Sequence, residues 1–125
     1  MTGGPGPKGG SGSGSRSGGP AGGRPKPTTA EREDAALELA RVRDRIDELD
    51  TRIVDLLNER ATLGRQAGRA KLLAGRRAIH DPEREREVLL RVAMRNQGPI
   101  SQADLLSIYR RVVAATRTLE SKDRG

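Results

Sequence analysis

The stretch "RIDELDTRIVDLLNERATLGRQAGRAKLL", Arg45 to Leu73, decides the fold. Read as one helix, it places Ile46, Leu49, Ile53 and Leu56 at alternating steps of three and four, the spacing of a heptad seam. The next step of four falls on Arg60, a cation where an apolar residue is due. Lys71 follows eleven residues later, almost three whole turns, so the two cations share a face ~16 Å apart along the axis. Gly64, Ala67 and Gly68 lie on that face between them. Small residues there leave room for something other than a side chain, and an inward cation needs an anion nearby. The bland reading is that the cations snorkel past apolar neighbours and that the Gly–Ala face only lets helices approach closely.

Outward from this stretch, the seam runs back through Leu39 and Val42 and forward through Leu63, Ala67 and Ala74. It stops at Gly75, a natural residue after a helix end. Upstream, "TTAE" offers a capping box of Thr28 or Thr29 with Glu31. The first helix is therefore expected over about 30–74, a rod of ~65 Å. Gly64 and Gly68 are the only residues that could break it, and no turn signal accompanies them.

"HDPEREREVLLRVAMRNQGP" predicts a second helix, with Asp81 as N-cap and Pro82 at the first helical position. Val88, Leu89 and Val92 form its buried stripe, and Asn96, Gly98 and Pro99 end it. Ser101 caps a third helix, whose stripe is Leu105, Ile108, Val112, Ala115 and Leu119. No segment alternates with period two, so the fold class is all-α, three helices per chain. Two short helices cannot cover such a rod, and an uncovered seam must find another chain. The expected assembly is a helical homodimer in which the long helices pair.

Residues 1–34 read as a Gly/Pro/Ser-rich tail with the lead-in to the first helix, and 35–125 as the folded domain. The tail has no apolar residue to nucleate a core up to about residue 27. Among 125 residues there is no Cys, and His80 is the only His, so no disulfide framework or zinc site is available. No apolar run is long enough for a membrane span and no signal-peptide pattern is present. The expected location is the cytoplasm. A net charge of +7 favours an anionic partner.

Further polar residues fall near the inward cations. Arg84 and Glu85 precede Val88 and Leu89 by one turn, and Thr116 and Glu120 are one turn apart beside Leu119. Arg43 lies ~25 Å from Arg60 along the rod, so it could reach a like pocket only in an antiparallel partner. No nucleophile–base pair or metal cluster is visible. What remains suits a reaction in which a multiply charged anion is held in shape.

These residues resemble the all-helical chorismate mutases over roughly 36–121. The shared motifs are R-x-x-I-D-x-L-D, L-L-x-E-R, G-x-x-K, D-P-x-R-E and a closing R-x-L-E, in that order. The resemblance implies three helices per chain, intertwined homodimers, and two pockets that each borrow an Arg from the neighbour. Arg43 matches that borrowed residue. Arg60 and Lys71 match the cations of the chain's own pocket, and Asp81, Arg84 and Glu85 match the loop and second-helix group. Thr116 stands where a small hydroxyl residue is usual, and Glu120 where relatives carry Gln or Glu.

The implied reaction is the Claisen rearrangement of chorismate to prephenate, on the way to phenylalanine and tyrosine, with no cofactor. Arg43 of the neighbour and Arg60, helped by Arg84, would grip two carboxylates. Lys71 would stabilise charge growing on the ether oxygen. Glu85 and the Asp81 backbone would hold the ring hydroxyl. On this reading the volume left open at Gly64, Ala67 and Gly68 is the substrate's. If Glu120 faces the ether oxygen, it can donate a hydrogen bond only as the neutral acid. No fused dehydratase or dehydrogenase follows Gly125, an expectation of a monofunctional enzyme, with control through a separate pathway enzyme left open. Isochorismate pyruvate lyase and 4-amino-4-deoxychorismate mutase would use nearly the same pocket. A basic nucleic-acid-binding module is the rival of another class, but its charges alternate in sign, as in "EREREV", and stacking aromatics are missing.

Overall fold

The computed structural model describes residues 24–76 and 80–124. They form three helices, α1 (Thr29–Leu73), α2 (Pro82–Arg95) and α3 (Gln102–Arg124), and no strand occurs among them. The expected tail lies outside the described residues as far as residue 23. The chain divides into two compact units, Met1–Ile46 and Asp47–Gly125. The boundary expected at 34/35 falls inside α1.

In the first unit, α1 starts on a reciprocal capping box. Thr28 N–H donates to Glu31 Oε1 at 2.8 Å, and Glu31 N–H donates to Thr28 Oγ1 at 3.1 Å. Two donors that a helix start leaves orphaned are thus satisfied, a contribution of about 1 kcal/mol. Leu39, Val42 and Ile46 are exposed, and an Arg41–Glu38 pair flanks them on the helix surface.

The second unit holds the rest of α1 with α2 and α3. The helix passes through Gly64 and Gly68 without a break. It ends in a Schellman motif: Arg76 N–H reaches Lys71 O at 2.8 Å and Gly75 N–H reaches Leu72 O at 3.0 Å. Gly75 sits at φ +83°, a left-handed conformation costly for any residue with a Cβ. The carboxylate of Asp81 accepts Arg84 N–H at 3.1 Å and starts α2. Between α2 and α3, Asn96 organises the turn. Its amide donates to Ile100 O at 3.1 Å and its Oδ1 accepts Gly98 N–H at 2.9 Å. Ser101 Oγ then accepts Asp104 N–H at 3.1 Å and caps α3.

Of the α3 stripe expected from spacing, Leu105, Val112 and Leu119 are half-buried, while Ile108 and Ala115 are exposed. The adjoining row 109–113–116–120 is the more deeply set: Tyr109 and Val113 are half-buried, and Thr116 and Glu120 are buried. Polar residues occupy it because it faces a cavity and not a sealed core. Among the described residues, no apolar side chain is fully buried; Gly68, Thr116 and Glu120 are the buried ones. Along α1, Leu49, Ile53, Leu56 and Leu63 remain about half exposed.

The end of α3 is tied to α1 by a two-toothed pair. Arg65 Nε and Nη2 donate to Asp123 Oδ2 and Oδ1 at 2.8 and 2.6 Å. The hydrogen bonds from Arg65 hold the Asp123 carboxyl below its ordinary value. A depressed folded-state value adds stability that is present above the unfolded carboxylate range and lost as pH falls through the folded one. Acid melts should therefore show the α3 terminus loosening below that range. Asp123→Asn should remove this component, as read by amide exchange across 117–124 between pH 2 and 5. An unchanged exchange profile in the variant would detach the pair from the stability of the terminus.

Candidate functional site

A cavity of about 360 Å³ opens inside the second unit. Its wall collects Arg60, Lys71, Asp81, Arg84, Glu85, Thr116 and Glu120, together with Leu63, Gly64, Ala67, Val88, Val113 and Arg117. The heptad register brings Arg60 and Lys71 from α1, the capped start of α2 brings Asp81, Arg84 and Glu85, and the inward row of α3 brings Thr116 and Glu120. Seven of the eight residues named from the sequence thus meet at one cavity. Arg43 is not among its lining residues and lies in the other unit.

Each polar group has a distinct state. Arg60 Nη1 donates to Thr116 Oγ1 at 3.3 Å, and its guanidinium carbon lies 5.5 Å from the centre of the Tyr109 ring. Thr116 Oγ1 donates in turn to Val112 O at 3.3 Å. The ring supports the cation without neutralising it. Among the described residues, neither Arg60 nor Lys71 has an ion-pair partner. Arg84 is turned to the exposed flank of α2, where it pairs with Glu87. The Asp81 carboxylate caps α2 and lies 3.5 Å from Arg76, so its main chain is what it can offer a ligand. Glu85 is held between Arg117 Nε at 2.8 Å and His80 Nε2 at 3.4 Å. Glu120 is 7% exposed, and its Oε2 is buried with no hydrogen-bond partner among the described residues. A buried polar oxygen without a partner is costly, and here it belongs to a residue that lines the cavity.

One expectation needs correction. The space above Gly64 and Gly68 belongs to α3, not to a ligand. A Cβ at Gly64 would fall on the Thr116 methyl, and one at Gly68 would lie 2.8 Å from Glu120 Oε2. The glycines let α3 approach α1, and the cavity opens beside them, over Ala67 and between the two cations. The two positions should respond differently to Ala. Gly64→Ala should destabilise by about 1–3 kcal/mol, because the new Cβ meets the methyl of a β-branched side chain whose χ1 is restricted and whose hydroxyl is already bonded to Val112 O and Arg60. Gly68→Ala should fold as well as the wild type, aided by helix propensity, but turn the flexible Glu120 away. Thermal melts of both variants check this; equal melting points would contradict it.

Sequence reasoning missed Tyr109 and Arg117. Tyr109, the only aromatic, is seven residues before Thr116 and so on its face, a spacing that could have found it. Arg117 opens the closing R-x-L-E motif, but spacing alone gave it no role, because its partner Glu85 comes from another helix.

Residues 42–121 match the family described as chorismate mutase type II, more than half of the chain. The chain belongs to the chorismate mutase type II family. It is 40% identical over 89 residues to a bifunctional chorismate mutase/prephenate dehydratase of Aquifex aeolicus (strain VF5). It is 34% identical over 89 residues to one of Stutzerimonas stutzeri. In both cases the match takes in 68% of this chain and 24% of the relative, so the chain spans about a quarter of the length of these curated relatives. Among solved structures it is similar to the chorismate mutase (form II) from Thermus thermophilus, with TM-score 0.64 and 27% identity. That match covers 67% of this chain and 94% of the other. As a member of the chorismate mutase type II family, the chain carries its site on helices whose inner polar residues line one cavity. Among the described residues, no helix is long and apolar enough to cross a membrane.

Proposed function

We propose that the protein is a chorismate mutase acting in the cytoplasm, converting chorismate to prephenate by electrostatic preorganisation without covalent catalysis. The observation that carries this reading is the pair of cations, Arg60 and Lys71, with no ion-pair partner among the described residues, on the wall of a cavity sized for a small dianion. A unimolecular rearrangement needs only that the substrate be held in its reactive shape and that growing charge meet a preplaced donor. Arg60, its guanidinium carbon 5.5 Å from the centre of the Tyr109 ring, takes one carboxylate. Arg84 reaches the substrate by leaving Glu87, a surface pair worth little. Lys71 faces the ether oxygen as its bond breaks, with Glu120 beside it. Glu85 and the Asp81 main chain take the ring hydroxyl.

The cavity is completed by a second copy of the chain, which supplies Arg43. A three-helix unit in which no described apolar side chain is fully buried cannot offset the entropy of folding by itself. The exposed seam on α1 supplies the missing apolar surface when two long helices pair. A separate pathway enzyme is a further candidate partner, in keeping with relatives named as mutase and dehydratase together.

The purified protein should consume chorismate and release prephenate. Parallel incubations with isochorismate and 4-amino-4-deoxychorismate, with products identified by mass spectrometry, check the substrate. Preferential release of pyruvate from isochorismate would replace the reading with a lyase.

Glu120 gives a donor test. An amide in its place donates a hydrogen bond to the ether oxygen, whereas a methyl cannot. Glu120→Gln should therefore keep a much higher kcat than Glu120→Ala. Equal rates for the two variants would remove Glu120 from that role.

A further inference from the structure

We infer that Arg117 is a positioning residue for Glu85, holding its carboxylate toward the substrate's ring hydroxyl; this rests on the function proposed above. Glu85 stands on a shared wall. On one side is the cavity of Arg60 and Lys71. On the other is a second cavity, of about 320 Å³, lined by His80, Arg86, Leu89 and Arg110 among others. Both cavities include Glu85 and Arg117. A carboxylate so placed has cations to turn to on either side. Among the described residues, Arg86 and Arg110 of that second lining have no ion-pair partner.

Glu85 is instead held by two other groups. Arg117 Nε lies 2.8 Å from Glu85 Oε2, and His80 Nε2 lies 3.4 Å from Oε1. The two come from different elements, α3 and the segment before α2, and so constrain both oxygens. Arg117 Nε is buried and, though close, is not aligned with Oε2 for a hydrogen bond. Its hold on Glu85 is charge on charge, which leaves oxygen lone pairs free to accept from a hydroxyl. The Glu85 side chain is 21% exposed and that of Arg117 38%, so the pair is too solvated to rank as a major stabilising element. Orientation is the function this leaves.

The test is a double-mutant cycle read in kcat and KM with chorismate. The variants are Arg117→Met, Glu85→Gln, both together, and Arg117→Lys, each checked by circular dichroism. Arg117→Met should lower kcat/KM about ten- to hundredfold, the scale of a small misplacement of a binding group. Arg117→Lys, which keeps the charge, should recover much of that loss. The double variant should be no worse than Glu85→Gln alone. An Arg117→Met loss that persists at full size in the Glu85→Gln background, or no loss at all, overturns the inference. Should Arg117→Met fail to fold, Arg117→Gln enters the same cycle with the same readings. A wild type that leaves chorismate unchanged would defeat the function itself, and this inference with it. An active wild type with an additive cycle would defeat the inference alone.

Discussion

Lys71→Ala is expected to lower kcat by about 10²–10³, the usual loss on removing one donor from a site of developing charge. KM should change far less. The ether oxygen gains its charge only as the C–O bond breaks, so the donor acts on the transition state and not on the ground state. Steady-state rates from the loss of chorismate absorbance supply both constants. Lys71→Arg should recover little, because a planar fork does not reproduce a compact ammonium. An Ala variant with raised KM and unchanged kcat would recast Lys71 as a carboxylate binder.

The second large effect concerns shared pockets. Arg43→Ala and Arg60→Ala should each cost about 2–5 kcal/mol of substrate or transition-state binding, since each leaves a carboxylate without its clamp. Mixing the two inactive proteins should then restore activity. In a two-fold symmetric dimer whose pockets draw Arg60 from one chain and Arg43 from the other, the heterodimer has one complete site and one lacking both. With random exchange, half the dimers are mixed and half their sites are intact, so about a quarter of the wild-type rate returns. Refolding the proteins together and assaying the mixture measures this. No recovery from a verified heterodimer would place both arginines in one chain's site, or Arg43 in none. If the protein stays monomeric at assay concentrations, the shared pocket is excluded without mutagenesis.

The helices themselves were legible because their signals are local. The Thr28–Glu31 box, Asp81 before Pro82, Ser101 before Asp104 and Gly75 after the last turn each act within one turn of the chain. Each appears where the spacing put it. The cations Arg60 and Lys71 were legible for a related reason: a helix has a fixed period, so a residue that breaks an apolar seam is visible as a break.

What only the tertiary structure decided lies between elements. The glycines at 64 and 68 could have faced a ligand or a helix. Their neighbours, Thr116 and Glu120, come from α3, over fifty residues away, and no local pattern encodes which surface closes on which. The burial of Thr116 and Glu120, on the row beside the expected α3 stripe, has the same origin. Apolar spacing names the face that a sealed core would want, whereas here the inward row lines a cavity and carries polar groups. Tyr109 under Arg60, and Arg117 against Glu85, are likewise pairings across elements. By itself, then, the sequence determined three capped helices, their order and a charge-broken seam, because periodicity and capping are properties of a few consecutive residues. Which side chains share a cavity was decided by helix packing, because contact across elements depends on where whole helices come to rest.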